Sequence, residues 1–156
     1  MLKNTYEGQA CSIARSLELI GERWTLLIVR DVFRGLRRFD EMQKSLGIAR
    51  NVLTNRLERL VEEGILEKRR YQEHPPRCEY FLTEKGIDLW PVLVSLIKWG
   101  DKYAAFGEFD GLPPVIVRHR DCEGEVDEHF ICEKCGERVW ARQAYTERRV
   151  PMHAAA

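Results

Sequence analysis

The sequence lacks any long apolar run. Nothing in its 156 residues approaches the roughly 18 consecutive apolar residues that a membrane-spanning helix needs. Residues 1–8, MLKNTYEG, contain no apolar core of the kind that a secretory signal peptide carries. Hydrophobic residues make up 44% of the chain and charged residues 32%, as in an ordinary globular protein. We therefore expect a cytoplasmic protein with one well-buried domain and a smaller appendage.

The sequence also lacks a net charge, with 25 basic and 25 acidic residues, which by itself argues against a nucleic-acid partner. The charges are unevenly distributed, however. Residues 23–77 contain 13 Lys and Arg against 8 Asp and Glu, a net of +5, and residues 101–137 contain 4 against 10, a net of −6. The basic half can therefore face a polyanion while the acidic half keeps the molecule neutral.

Two further signatures are missing. There is no glycine-rich phosphate loop and no nucleophile with a suitably spaced base, so an enzyme is the least expected class of function. The five cysteines are an odd number, which argues against a disulfide scaffold and for reduced thiols, with a metal site as one use for them.

Apolar periodicity predicts a series of short helices followed by a hairpin. Helices are expected over 11–20, 23–33, 39–45 and 49–63. Runs of β-forming residues over 65–72 and 78–82 flank the turn 73–77, and together they predict a β-hairpin.

The second half of the chain is predicted to contain one more helix and a β-rich appendage. The helix is expected to begin at Thr83, as its N-cap, and to run to about residue 105, with an interruption near its start at Pro91. A linker over 107–114 then leads to alternating patterns such as 126–132, which indicate short strands.

The order of helix, short helix, glycine turn, amphipathic helix and hairpin is that of a winged helix-turn-helix. A recognition helix needs one face anchored on a core and small polar or basic groups near its N-terminus, and the 49–63 helix has both. The predicted contacts are two arginines on phosphates, four residues on base edges or nearby phosphates, and three residues of the wing. They are Arg37 and Arg38, then Arg50, Asn51, Thr54 and Asn55, and then Arg69, His74 and Arg77. The alternative is an ordinary solvated face with surface charge.

Residues 11 to about 105 resemble the HxlR-type regulators, a group near the MarR-like winged-helix proteins. The resemblance rests on Cys11 and on the stretches GERWTLLI (21–28), GLRRF (35–39), LTNRL (53–57), PPR (75–77) and YFLTEKG (80–86). One departure is Glu22-Arg23, where the family more often has Gly-Lys. The resemblance implies a homodimer on a two-fold-related operator, with the first and last helices forming the dimer surface. It thereby accounts for excess apolar surface at Trp90, Leu93, Leu96 and Trp99.

We therefore expect an α+β fold, mainly α. Residues 11–106 are predicted to form an HxlR-type winged helix-turn-helix for DNA binding and dimerisation. Residues 115–147 are predicted to form a small cysteine-containing β-hairpin resembling a zinc ribbon.

Cys11 is a candidate redox sensor, because the start of a helix favours a thiolate and because the resemblance implies a sensing cysteine there, although packing is the more favoured interpretation. The alternative is a small side chain that packs at the dimer surface.

The C-terminal segment contains a pattern typical of zinc sites. His119 and Cys122 form one pair with a two-residue gap, and Cys132 and Cys135 form another, so these four residues are predicted to hold one structural zinc ion. Gly124 and Gly136 are expected to help the tight turns, and His129 is a rival fourth ligand. The alternative is a hairpin whose cysteines only pack, or form a disulfide on oxidation.

The function predicted is a sequence-specific transcriptional regulator that binds double-stranded DNA, a homodimeric repressor that responds to an oxidant or a small molecule. The alternative is a winged-helix protein-interaction module with a structural zinc ribbon; basic residues on the recognition helix and wing favour DNA. Four aromatic residues either line an effector pocket at the dimer surface or belong to the core. They are Trp90, Trp99, Tyr103 and Phe106.

Overall fold

A computed structural model describes residues 6–104, 109 and 111–149. Contacts divide the chain into two units, Met1–Gly86 and Ile87–Ala156. The predicted functional division into 11–106 and 115–147 stays a prediction. Its end at Phe106, like the predicted helix end at Ala105, lies outside the described residues.

The first unit contains four helices and a hairpin, in the predicted order. They are α1 (Ser12–Ile20), α2 (Thr25–Phe33), α3 (Phe39–Leu46), α4 (Arg50–Glu62), β1 (Leu66–Gln72) and β2 (Arg77–Leu82). Each element lies within one or two residues of its predicted bounds, and Cys11 and Trp24 are caps rather than helical residues. The winged helix-turn-helix fold is thereby confirmed.

The core of this unit explains the helix-turn-helix geometry. Leu53, Leu57 and Leu60 of α4 are almost fully buried, together with Ile28 of α2 and Met42 of α3. The spacing of three and four residues puts the leucines on one side of α4, so the other side stays in solvent. The turn between α3 and α4 is made by Gly47, whose φ of +64° suits a residue without a side chain.

The wing is an antiparallel hairpin. Its register pairs Leu66 with Leu82, Lys68 with Tyr80 and Arg70 with Cys78, and it shifts between Arg70 and Gln72. The hairpin therefore keeps its base in the core, where Leu66 is buried, and extends basic side chains towards its tip.

The helix predicted from Thr83 is two helices, α5 (Glu84–Ile87) and α6 (Trp90–Tyr103). The Thr83 hydroxyl accepts a hydrogen bond from the Gly86 backbone N–H at 3.2 Å, as expected of an N-cap. Pro91 lies in the first turn of α6, where its missing N–H costs no helical hydrogen bond. The predicted interruption is therefore confirmed, and it separates the helices at 88–89.

The second unit combines α6 with a small β structure. Strands β3 (Val115–His119) and β4 (Ala144–Arg148) pair antiparallel over five residues, and a single 3₁₀ turn precedes β4. The strand predicted over 126–132 is not continuous: isolated bridges join Val126 to Cys132 and Ile131 to Arg138. The Asp127 carboxylate accepts hydrogen bonds from the backbone of His129 and Ile131, both at 2.8 Å, and holds a turn instead.

Among the described residues, no helix is both long enough and apolar enough to cross a membrane.

Candidate nucleic-acid interface and metal centre

The N-terminus of α4 presents the predicted reading residues. Arg50, Asn51 and Asn55 are exposed and Thr54 is half-buried, since the leucines of the helix face the core. The Arg50 guanidinium lies 4.7 Å from the centre of the Phe39 ring and 3.4 Å from a carboxylate oxygen of Asp40. The start of α3 therefore contacts this arginine at the exposed N-terminus of α4.

The segment before α3 is held by Glu41. Its carboxylate accepts backbone N–H bonds from Arg37 at 3.0 Å and Arg38 at 2.9 Å. These bonds lower the pKa of Glu41, because they favour its charged form. The Arg38 side chain donates to the Glu79 carboxylate at 3.0 Å, so a predicted phosphate ligand already has an acidic partner on the wing.

The wing and the start of α3 meet at one aromatic ring. The guanidinium groups of Arg37 and Arg69 each lie 4.3 Å from the centre of the Phe81 ring. The Arg38 guanidinium lies 4.9 Å from the Tyr71 ring. The structure thus stacks four arginines from the start of α3, from α4 and from the wing on three aromatic rings, and we call these four contacts together the arginine–aromatic row.

The remaining predicted wing residues, His74 and Arg77, are exposed at the tip of the hairpin. Sequence reasoning missed the aromatic partners Phe39, Tyr71 and Phe81. Their signal was the interleaving of aromatic and basic residues along 37–39 and 69–71, which is typical of surfaces that bind nucleic acids.

The four predicted metal ligands lie together. The ligand atoms of His119, Cys122, Cys132 and Cys135 are all within 4.8 Å of one another. His119 Nδ1 is 3.4 Å from the Cys122 sulfur and 3.3 Å from the Cys135 sulfur, and the Cys122 and Cys132 sulfurs are 3.4 Å apart. All five cysteines are free thiols, and the rival ligand His129 is exposed and lies outside this group.

Two equivalent turns place these ligands. After the first pair, the Glu123 N–H donates to the His119 carbonyl at 2.8 Å, and after the second pair the Gly136 N–H donates to the Cys132 carbonyl at 2.8 Å. Both residues have a left-handed backbone, with φ of +60° for Glu123 and +74° for Gly136. In the first turn Glu123, rather than the expected Gly124, takes the left-handed position.

Gly124 has a different role. A Cβ atom at this position would lie 2.4 Å from the Cys132 sulfur and 2.6 Å from Cβ of Lys134. The glycine is thus required for space, because the two ligand-bearing turns approach each other across it.

His119 is fully buried, yet within the described structure its Nε2 atom has no hydrogen-bond partner. A carboxylate oxygen of Asp121 lies 3.5 Å from this nitrogen. Histidine ligands commonly direct their second nitrogen to a carboxylate, which fixes the ring for the metal. This arrangement favours ligation through Nδ1.

The pKa values of two of the clustered thiols are shifted in opposite directions. Although burial opposes ionisation, backbone N–H groups of Cys135 and Lys134 and the neighbouring thiols lower the pKa of Cys132 to about 6. The Glu137 backbone favours the Cys135 thiolate, but burial and the adjacent sulfurs outweigh it and raise the pKa of Cys135 to about 11. Mutual repulsion therefore limits the group to few thiolates unless a cation neutralises them.

The donor set fits a tetrahedral zinc site. With Zn–S near 2.3 Å and Zn–N near 2.0 Å, tetrahedral ligand atoms lie roughly 3.5–3.8 Å apart. Three of the separations here are 3.3–3.4 Å, slightly shorter than that range, and all four ligand atoms lie within 4.8 Å of one another. Four protein ligands leave no open position, so the group suits a structural ion.

Cys11 is exposed at the N-cap of α1. The backbone N–H groups of Ala14 and Ile13 lower its pKa, because they stabilise a thiolate at the helix start.

Helix α6 has two unlike faces. Trp90 is only 6% exposed and packs on Phe130, with ring centres 5.6 Å apart, so its predicted place on the exposed dimer surface is wrong. Trp99, nine residues later and about 180° around the helix, is 65% exposed. The exposed apolar stripe of α6 consists of Val92, Leu96, Trp99 and Tyr103.

The aromatic residues predicted to line one pocket lie in two clefts, because Trp90 and Trp99 are on opposite faces of α6. Trp90 lines a cleft of about 400 Å³ with Trp140, whereas Trp99 and Tyr103 line another of about 530 Å³. Phe106 lies outside the described residues.

The family model of the HxlR-like helix-turn-helix matches residues 19–107, more than half of the chain. This chain belongs to that family. The HxlR-like proteins are DNA-binding helix-turn-helix transcriptional regulators rather than enzymes, and this HxlR-like protein is accordingly a transcriptional regulator.

Its relatives differ in how much of the chain they match. Rv3095 of Mycobacterium tuberculosis, an uncharacterized HTH-type transcriptional regulator, is 44% identical over 94% of this chain and 89% of its own length. The crystal structure of PA1607, a candidate transcription factor, has a TM-score of 0.68 and 37% identity over 92% of this chain and 95% of its own. The reduced redox regulator HypR has a TM-score of 0.56 and 30% identity, over 59% of this chain and 92% of its own. The first two matches therefore extend well into the C-terminal unit.

Proposed function

We propose that this HxlR-like protein is a homodimeric, sequence-specific repressor. The observation that carries the proposal is the arginine–aromatic row, which runs from Arg50 on Phe39 through Arg38 on Tyr71 to Arg37 and Arg69 on Phe81. Stacking restricts the motion of a guanidinium and keeps its N–H groups at the edge of the ring. There Arg38, Arg50 and Arg69 contact the carboxylates of Glu79, Asp40 and Glu67, which a phosphate can replace. The N-terminus of α4 enters the major groove, and the wing follows the backbone.

The test is binding of the full chain to duplex DNA as a function of salt. Each phosphate neutralised adds about 0.9 to the slope of log affinity against log salt, so contacts from four or more arginines predict a slope steeper than about −3. Specific sites come from selection on random duplexes, and placing a selected site over a promoter tests repression by transcription in vitro. Absence of duplex binding at low salt would favour the protein-interaction module instead.

The proposed dimer rests on exposed apolar faces in the first and last helices. Ile13 and Leu17 are exposed on α1, and the apolar stripe of α6 is exposed over three turns. Contiguous exposed apolar patches usually mark surfaces that are buried against another protein molecule. Sedimentation should give a dimer, and Trp99→Glu combined with Leu96→Glu should give monomers. A monomeric parent at micromolar concentration would contradict the dimer.

We also propose that the four-residue group formed by His119 and the three C-terminal cysteines holds one structural zinc ion. Metal analysis of protein purified under reducing conditions should give one zinc per chain. Cys132→Ser should lose it, and Cys78→Ser, which changes a thiol outside the group, should retain it. A parent protein that contains only trace zinc would contradict the proposed zinc site.

Cys11 is proposed as an oxidant-sensitive residue, supported by its exposure and lowered pKa. Because the partner is genomic DNA, we place the protein in the cytoplasm.

A further inference from the structure

The segment that carries the metal ligands also makes the contacts that cover one face of α6. Phe130 lies two residues before Cys132 and packs on Trp90, near the start of the helix. Glu125 lies three residues after Cys122 and pairs with Lys98, two turns further along, at 3.0 Å. The two contacts are thus spread along α6, and they originate five residues apart, between the two pairs of proposed ligands.

Backbone hydrogen bonds tie both contacts to the ligand-bearing turns. The Phe130 carbonyl accepts from Val139 at 2.8 Å, and the Glu125 carbonyl accepts from Glu133, inside the second ligand pair, at 2.9 Å. The Gly124 carbonyl accepts from His119, a ligand of the first pair, at 2.9 Å. The positions of Phe130 and Glu125 therefore depend on the same backbone that holds the ligands.

The segment has little apolar material with which to hold itself together. Its buried apolar side chains are small, and two of its buried residues are the proposed ligands His119 and Cys132. The others are Ile116, Val117, Val126, Val139 and Ala144. A core of this size does not ordinarily fold without a disulfide or a metal.

We infer that the metal-binding segment is a latch on α6, in which occupancy of the four-residue group holds Phe130 and Glu125 against Trp90 and Lys98. Metal binding then orders α6 as well as the segment itself. The inference rests on the proposed zinc site. Because Trp99 and its exposed neighbours are on the other side of the same helix, the state of the metal also controls how firmly the proposed dimer face is held.

The experiment compares hydrogen exchange of the full-length chain before and after chelator-stripped protein receives one equivalent of zinc under reducing conditions. Zinc should slow exchange in 116–145 and also in α6, the latter by at least about fivefold, because an aromatic pair is gained. Helix α4 is the internal control and should not change.

Two variants distinguish the effect of zinc on α6 from zinc binding itself. Phe130→Ala should bind zinc and show zinc-dependent protection in 116–145, but zinc should no longer slow exchange in α6. Ser95→Ala changes an exposed side chain of α6 that takes part in neither contact and lies outside the apolar stripe, so it should keep the full zinc effect.

The outcomes distinguish the two proposals. If zinc binds and protects 116–145 while α6 of the parent is unchanged, the latch is wrong and the zinc site stands. If Phe130→Ala keeps the zinc effect on α6, the latch through Phe130 is also overturned. If the parent binds no zinc, the zinc site fails and the latch falls with it.

Discussion

The Arg38 side chain donates a hydrogen bond to the Glu79 carboxylate at 3.0 Å. This contact joins the residue before the first helix of the helix-turn-helix to the second strand of the wing. It also places a negative charge within the surface that is proposed to meet phosphates, where that charge opposes binding.

Glu79→Gln should therefore tighten binding to duplex DNA. Removing one unit charge from the interface is worth on the order of 1 kcal/mol, so the affinity at low salt should rise about 2- to 10-fold. The free energy of unfolding should fall by less than about 1 kcal/mol, because the ion pair is partly exposed. Glu62→Gln, at the far end of α4, is the matched control. Weaker binding by Glu79→Gln would mean that the pair positions Arg38 for DNA.

Arg50→Ala and Asn51→Ala should each weaken binding to the selected site by about 1–3 kcal/mol, because both side chains are exposed at the N-terminus of the recognition helix. Fluorescence anisotropy on the site and on a scrambled duplex measures the change. Arg59→Ala, near the other end of α4 and paired with Glu63, should leave the affinity unaltered. Parent-like affinity of both variants would show that α4 is not the reading helix.

Gly124→Ala should abolish tight zinc binding, because the added Cβ would meet the Cys132 sulfur at 2.4 Å. Zinc affinity is measured by competition with a chromophoric chelator. Gly100→Ala is the control: a Cβ there meets nothing within 4 Å, so the helix should gain stability by roughly 0.5–1 kcal/mol with zinc affinity unchanged. If Gly124→Ala retained the zinc affinity of the parent, the Cys132 sulfur could not lie against residue 124 in the zinc-bound protein.

Asp121→Asn should lower zinc affinity about 10- to 100-fold, since the carboxylate faces the second nitrogen of the buried His119. Glu133→Gln is the control for the loss of a negative charge alone. Glu133 is exposed and lies between the cysteines of the second pair. Equal small effects from the two substitutions would assign the Asp121 effect to charge rather than to orientation of the imidazole.

Cys11 should be alkylated with a pH midpoint below that of a model cysteine peptide. The folded state favours its thiolate, so the reactive form accumulates at lower pH and is lost only as the pH falls through the lowered pKa. Mass spectrometry after mild peroxide treatment should find Cys11 modified, with DNA affinity reduced in the parent and unchanged in Cys11→Ser. Modification without any change in DNA affinity would end its role as a sensor.

Much of the fold follows from local patterns. The leucine spacing of α4, the glycine at 47 and the β-forming runs around residues 73–77 predict the winged helix-turn-helix to within one or two residues. These features are local because a helix or hairpin is selected by side chains a few residues apart. The ligand pairs of the metal site are also local, since two-residue gaps define each turn.

Other features depend on residues far apart in the chain. Trp90 is buried and packs on Phe130, forty residues later in the chain. Arg38 is free or paired according to the strand on which Glu79 lies. Neither contact leaves a signal in the periodicity of its own segment.

The sequence by itself determined the order of elements, the basic residues of the proposed DNA-binding surface and the four residues of the candidate metal group, because short-range spacing encodes all three. Only the tertiary structure decided that Glu123 rather than Gly124 takes the left-handed turn, that Asp121 faces His119, and that α6 has a covered and an exposed face. Those outcomes depend on which surfaces meet in the folded chain, where close packing leaves room for one arrangement of side chains.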